Sequence, residues 1–402
     1  FSRSRGLGDV YKRQDIGFRI QERDSYGKLV RNISIEPPKK GKNLRLSIDL
    51  ELQKKLFYDF KGRKGALVAI EPKTGLIRAL ISSPTYDPNL LNTINDYDEV
   101  RNLFSDQDSP LFNRALSGQY PPASTLKPFV GMAALEAKTI SWEKEILDSG
   151  EYLVEGDERP YRGWKEGGHG KVDMNKAIIE SSDVYFYSLA YDLTVSNLSP
   201  FLEKFGFGEQ SGLTIREGTG ILPSRKWKLG YKGESWFKGD TINMGIGQGY
   251  ITATPLQIAV AYSALANKGE LVQPRIIEKI GEENTETVIK KNISLIDDLN
   301  WKRIEKSLLG VVEASNGTAN NIYDRHIRIA GKTGTAQVKS IIETEYELLR
   351  LDKSLRDHAL FVGYGPVEEP KLVVVAIIEN GESGSAVAAP LVRKAINLYS
   401  KK

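Results

Sequence analysis

Ser124 stands three residues before Lys127 in the stretch GQYPPASTLKPFVGMAALE, between a double proline and an apolar run. A serine is a weak nucleophile and needs a base to take its proton. Lysine can be that base only if burial or a neighbouring cation lowers its pKa from about 10.4. Residues three apart on a helix share a face, so Lys127 can hydrogen-bond Ser124 if both lie in the first turn. A serine at a helix start also lies beside free backbone N–H groups able to hold an oxyanion. The same spelling serves an N-cap serine with a solvated lysine. Ser-x-x-Lys recurs at Ser25/Lys28, Ser141/Lys144 and Ser235/Lys238, so the spacing alone does not choose.

Two further groups bear on the choice. AGKTGTAQV places Lys332, Thr333 and Gly334 in a β-compatible run. On a strand Lys332 and Gly334 share a face, and a glycine there allows a close backbone approach. A second Lys-Thr-Gly, Lys73–Gly75 in EPKTGL, reads as a hairpin turn with its lysine in water. ESSDVYFY sets Ser181 two residues before Asp183 at the head of an apolar helix. Ser181 could relay a proton, and Asp183 could accept a substrate amide or hold a lysine. A polar helix-start cluster has the same composition.

These groups need elements to position them. LRLSIDLELQKKLFYDF reads as a strand and a helix, and GALVAIEPKTGLIRALISSP as two strands joined at Pro72–Gly75. STLKPFVGMAALEA is helical, with Pro128 in the first turn, where a missing N–H costs little. MNKAIIESSDVYFYSLAYDL, TPLQIAVAYSALANKG and WKRIEKSLLGVVEA follow helical spacing. IRIAGKTGTAQV, HALFVGYGP and KLVVVAIIEN are strand-like, and a helix closes the chain. The expected fold is α/β (α+β): one antiparallel sheet from N- and C-terminal segments, flanked by helices, with a helical subdomain.

Composition bounds the rest. The 402 residues carry 56 Lys+Arg against 52 Asp+Glu, a balance that does not point to nucleic acid. No cysteine is present, which excludes disulfides, thiol catalysis and Cys-type zinc sites. No apolar stretch reaches the roughly 18 residues that mark a membrane span. Residues 1–14, FSRSRGLGDVYKRQ, have neither a start methionine nor periodicity and read as a non-native, adapter-derived segment. Residues 15–43 are polar and end in EPPKKGKN, a linker by composition.

The order Ser-x-x-Lys, Ser-x-Asp, Lys-Thr-Gly resembles the motif set of penicillin-binding proteins and serine β-lactamases. From Gly41 onward the chain resembles a class B penicillin-binding protein, in particular the elongation-type branch, penicillin-binding protein 2. The stretches EPKTGLIRALISSPTYDPN, FNRALSGQYPPASTLKP, GHGKVDMNKAIIESSDVYFY, GDTINMGIGQGYITATPLQIAVAYSALANKG and HALFVGYGP carry that resemblance. It implies a transpeptidase domain over 44–402, with 15–43 the remnant of an N-terminal pedestal domain and linker. It implies a D,D-transpeptidase without a cofactor, in which Ser124 attacks the penultimate D-alanine of a peptidoglycan stem peptide. Lys127 would take the serine proton, and Ser181 and Lys332 would move it to the leaving amine. Asp183, Thr333, Gly334 and Thr335 would bind substrate, and the backbone N–H groups of Ser124 and Thr335 would form the oxyanion hole. An amine of the diaminopimelate type would be the acceptor, and β-lactams would acylate the same serine. The implied setting is a single-pass inner-membrane protein with a periplasmic catalytic domain and a membrane-embedded glycan polymerase as partner.

Some members of that branch hold zinc with two aspartates, a histidine and a cysteine. Asp148 and His169 match, but Gly163 and Ser182 stand at the other two positions, too few ligands for a closed site. No metal is expected. His326 and His358 have no partner pattern. A D,D-carboxypeptidase, a serine β-lactamase and a β-lactam sensor domain share the acylation chemistry, but no Glu-x-x-Leu-Asn element of the hydrolases is present. The two Lys-Thr-Gly copies separate by mutation. Lys332→Ala should slow acylation by a penicillin severely, and Lys73→Ala should leave it within a few-fold. Equal losses in two folded variants would refute the assignment.

Overall fold

A computed structural model describes residues 18–37, 40–92, 97–154, 156, 159–338 and 355–401. The proposed adapter segment, 1–14, lies outside them. The segment read as a linker contains an antiparallel hairpin, β1 (Phe18–Arg23) and β2 (Leu29–Glu36). Its turn is closed by Asp24, whose carboxylate accepts from the N–H groups of Tyr26 and Lys28. The alternating Phe18, Ile20, Ile33 and Ile35 are the strand signal that the surrounding charge obscured, and all four are exposed.

Helix α1 (Leu50–Phe60) precedes β3 (Gly65–Ile70) and β4 (Ile77–Ser83). Next come α2 (Lys127–Glu136), β5 (Ile146–Asp148), β6 (Gly170–Val172), α3 (Asp183–Lys204), α4 (Pro255–Ala266) and α5 (Leu299–Glu313). Strands β7 (Ala330–Ala336), β8 (His358–Gly365) and β9 (Leu372–Ile378) lead to the last helix, α6 (Ala389–Ser400).

The main sheet is antiparallel, in the order β7-β8-β9-β3-β4. The N-terminal hairpin thus joins the C-terminal strands, Val68 opposite Val375. β3 and β9 are buried along their whole length, because helices cover both faces. Helix α4 packs on one, and α1 and α6 on the other. TPLQ starts α4 with a capping box: Thr254 Oγ1 accepts from Gln257 N, and Gln257 Oε1 from Thr254 N. Every residue of α4 is buried. Helices α2 and α3 pack together beside the sheet as the helical subdomain.

One buried ion pair ties the chain before Ser124 to this sheet. Glu379, just past β9, accepts from Arg114 Nε at 2.9 Å and Tyr120 Oη at 2.7 Å. Arg114 also reaches the carbonyls of Asp108 and Ser109. Removing one partner of such a pair leaves an uncompensated buried charge. Glu379→Ala should therefore cost about 3–5 kcal/mol and lower Tm by several degrees in calorimetry. Glu22→Ala, which breaks the exposed pair with Arg31, should leave Tm nearly unchanged.

Candidate active site

Ser124 lies in a 3₁₀ turn, Ala123–Leu126, that runs directly into α2 at Lys127. The double proline delivers the chain to this turn. Pro122 O accepts from Thr125 N and Oγ1. Ala123 has φ +49°, a strained value for a residue with a Cβ. Gly247 packs against it: a Cβ on Gly247 would lie 2.2 Å from Ala123 O, and Gly247 O accepts from Ala123 N at 2.8 Å. The turn is held from below by Tyr262 of α4, whose hydroxyl donates to Thr125 O at 2.7 Å.

Lys127 is completely buried. Its Nζ donates to Asp183 Oδ1 at 2.7 Å, the Ser181 carbonyl at 2.8 Å and Ser181 Oγ at 3.2 Å. The backbone N–H of Lys127 donates to the Ser124 carbonyl, but no hydrogen bond joins Lys127 Nζ to the Ser124 hydroxyl among the described residues, contrary to the sequence expectation. The spacing does place both in adjoining turns. In a dry site, however, a carboxylate competes for an ammonium more strongly than a hydroxyl does. Burial pulls the Lys127 pKa below that of an ordinary lysine, and the Asp183 carboxylate partly opposes this.

Ser181 and Asp183 are positioned by the start of α3. Ser182 caps that helix, accepting from Tyr185 N. Ser181 sits at φ +59°, a second strained residue beside the candidate serine. Of the two roles offered for Asp183, the one observed is holding a lysine. Its second oxygen accepts from Trp164 N at 2.9 Å, and the Trp164 indole donates to the Ser181 carbonyl at 3.0 Å. Sequence reasoning missed Trp164. It lies in the Gly- and charge-rich stretch Asp148–Gly170, where no periodicity marks it.

Lys332 lies on β7 opposite Val362 and is also fully buried. Its Nζ has no hydrogen-bond partner among the described residues. Burial and the Lys127 charge push its pKa well below that of an ordinary lysine. Thr333 bonds Thr318 at 2.8 Å, Thr335 is exposed, and Thr335 O accepts from Gln248 Nε2. At Gly334 the close approach is made by the protein itself. A Cβ there would lie 3.2 Å from Thr125 Cγ2 and 3.4 Å from Pro122 O. The glycine thus lets the serine turn seat against β7. The structure brings Ser124, Lys127, Ser181, Asp183 and Lys332 together where the serine turn and the start of α3 meet β7. Lys73 is elsewhere, in the β3–β4 turn, largely exposed and 3.9 Å from Glu369.

The zinc-position residues form a hydrogen-bonded cluster. Asp148 Oδ2 accepts from Ser182 Oγ at 2.6 Å and His169 Nδ1 at 2.7 Å, and Oδ1 accepts from Gly150 N. Burial pushes Asp148 up, but these bonds outweigh it and hold its pKa below the usual value. Gly163 offers no donor, and no cluster of three or more His, Asp or Glu suited to a metal occurs among the described residues. The donor set does not fit a tetrahedral zinc. His358 begins β8, stacks edge-on to Tyr120, and accepts from Asn380 N. Burial lowers its pKa.

The sheet, its helical layers and the serine turn define a transpeptidase-type fold. The family described as Penicillin binding protein transpeptidase domain matches residues 65–397. The chain belongs to this family. The peptidoglycan D,D-transpeptidase MrdA of Haemophilus influenzae is 40% identical over 390 residues, 95% of this chain and 60% of that protein. MrdA of Escherichia coli K12 is 36% identical, over 92% of this chain and 60% of that protein. The chain thus spans about 60% of the length of these curated relatives. A crystal structure of Pseudomonas aeruginosa PBP2 in complex with WCK 5153 superposes with a TM-score of 0.82 at 39% identity, covering 90% of this chain and 76% of that one. A complex of PBP2 with MreC from Helicobacter pylori gives 0.82 at 29% identity, over 96% of this chain and 70% of that one.

Elemental analysis of dialysed protein should find well under one zinc per chain. A stoichiometric, chelator-resistant zinc would overturn this and implicate Asp148 and His169.

Proposed function

We propose that the protein is a peptidoglycan D,D-transpeptidase of cell-wall elongation, acting through a Ser124 acyl-enzyme. The observation that carries this reading is the convergence of two fully buried lysines, Lys127 and Lys332, with Ser181 and Asp183 beside a strained serine turn. Burial that depresses both lysines suits them to proton transfer at neutral pH.

Ser124 Oγ attacks the carbonyl of the penultimate D-alanine as Lys127 takes its proton. The backbone N–H groups of Ser124 and Thr335 stabilise the oxyanion, each donor typically worth ~10²–10³ in rate. Ser181 and Lys332 pass a proton to the leaving D-alanine. Thr333 and Thr335 hold the terminal carboxylate beside Lys332, and Gly334 keeps that strand against the serine turn. Asp183 holds Lys127, with its second oxygen facing the Trp164 amide. The amine of a second stem, of diaminopimelate type, then opens the ester and forms the cross-link. β-Lactams enter by the first half of this path and stop there.

The relatives' names, the complex of PBP2 with MreC and a solved peptidoglycan synthase complex support the setting. We place the domain in the periplasm, joined to an inner-membrane anchor and working with a membrane-embedded glycan polymerase. Residues 15–43 then belong to a pedestal domain and its linker. No helix among the described residues is long and apolar enough to cross a membrane.

Ser124→Ala should abolish labelling by a fluorescent penicillin, while Ser25→Ala, Ser141→Ala and Ser235→Ala retain it. Labelling that survives in a folded Ser124→Ala protein sinks the mechanism. The penicilloyl adduct should persist for minutes to hours in intact-mass measurements, because Asp183, the carboxylate beside Ser181, is already held by Lys127 and the Trp164 amide and is a poor base for water. Clearance within seconds, with sustained penicillin turnover, would replace this reading with a β-lactamase. Release of D-alanine without cross-linking would replace it with a carboxypeptidase.

A further inference from the structure

Lys127 and Lys332 are equally buried but differently surrounded. An ammonium has three hydrogens to place, and Lys127 Nζ has three acceptors: Asp183 Oδ1, the Ser181 carbonyl and Ser181 Oγ. Such a nitrogen has no lone pair to offer a serine. Lys332 Nζ has no acceptor among the described residues, which suits a neutral amine and not an ammonium. Among the described residues, the only carboxylate bonded to either nitrogen is Asp183. One buried carboxylate balances one buried ammonium, and a second ammonium beside it would stand uncompensated.

We propose that the two lysines share a single proton, which rests on Lys127 in the free protein and moves to Lys332 when a ligand carboxylate docks there. Lys127 is then left neutral and accepts the Ser124 proton. This deepens the acyl-transfer reading above and rests on it. The proton inventory is conserved. Lys332 Nζ makes no bond to Ser181 Oγ in the free protein, so the docked carboxylate must first draw the two together. Lys127 then gives a proton to Ser181 Oγ, which it contacts at 3.2 Å, as Ser181 gives its hydroxyl proton to the Lys332 lone pair. Lys127 then takes the Ser124 proton as Ser124 Oγ bonds to the carbonyl carbon. The substrate carboxylate is therefore the trigger that frees the base as well as an anchor.

The surroundings of Lys332 support this. Among the described residues, the charges that act on it are Lys127 of α2, which lowers its pKa, and Asp183 of α3, which raises it. Helix α5 packs against β7; its buried side chains, Asn300, Trp301, Ile304, Ser307, Leu308, Val311 and Val312, do not ionise, and its Glu313 is paired with Arg328. Val362 lies opposite on β8, and the helical turn Gly384–Ala388 carries no ionisable side chain. Burial depresses both lysines, but only Lys127 has a carboxylate in contact to oppose it.

The test is lysine Nζ and Cε NMR on the whole protein near neutral pH. The free protein should show one neutral lysine, absent in Lys332→Arg and retained in Lys127→Arg. After conversion to the penicilloyl adduct, verified by intact mass, the neutral signal should belong to Lys127 and Lys332 should read as an ammonium. Benzylpenicillin methyl ester, which lacks the carboxylate, should lose about 10² or more in the limiting acylation rate, the usual worth of a general base. A loss confined to the half-saturating concentration would mean that the carboxylate only anchors. The proposal is overturned by the absence of a neutral lysine in the free protein, by a neutral Lys127 there, or by a neutral signal that keeps its identity in the adduct. Failure to form any adduct would sink the nucleophile reading instead, and the free-protein spectrum would still decide the charge assignment.

Discussion

The ion pair between Lys127 and Asp183 is the contact on which the site depends. It spans 2.7 Å and joins α2 to the first residue of α3. Burying an ammonium costs several kcal/mol unless a carboxylate and further hydrogen bonds compensate it. Here compensation comes from Asp183 and both oxygens of Ser181. Without that cluster, Lys127 could not remain inside the fold as a charged residue. With it, a group that prefers water is fixed one helical turn from Ser124.

The pair also explains the architecture around it. Ser181 must turn its carbonyl and hydroxyl toward the same nitrogen, and it does so from a left-handed conformation. Such a backbone persists only when its neighbours overdetermine it. Those neighbours are Trp164, which bonds Ser181 and Asp183, and Asp148, which bonds Ser182 between them. Gly334 and Gly247 play the matching part for the serine turn by admitting it against β7 and the 247 loop without a Cβ in the way.

Much of this was legible in the sequence, and the reasons for the exceptions are physical. Ser124, Lys127, Ser181, Asp183 and Lys332 were named from short spacings, because covalent distance along a helix or strand fixes which side chains are neighbours. The sheet from both chain ends was legible from uninterrupted apolar runs such as KLVVVAIIEN. Which acceptor Lys127 chooses was not legible, since Asp183 is a long-range partner that local spacing cannot rank against Ser124. Trp164 bonds through its backbone and indole to residues well downstream, and nothing in its own neighbourhood signals that. The hairpin at Phe18–Glu36 was hidden by charged residues interleaved with its apolar ones.

The sheet has a consequence for how the chain comes to its native state. β3 and β4 are made before β9, yet β3 pairs with β9, about 300 residues later. Until β9 arrives, the apolar hairpin has no partner for its inner edge, and the closure entropy of almost the whole chain stands against the pairing. The helices α2 to α5 must therefore assemble while two sticky strands wait. Completion of the main sheet therefore waits on the C-terminal segment.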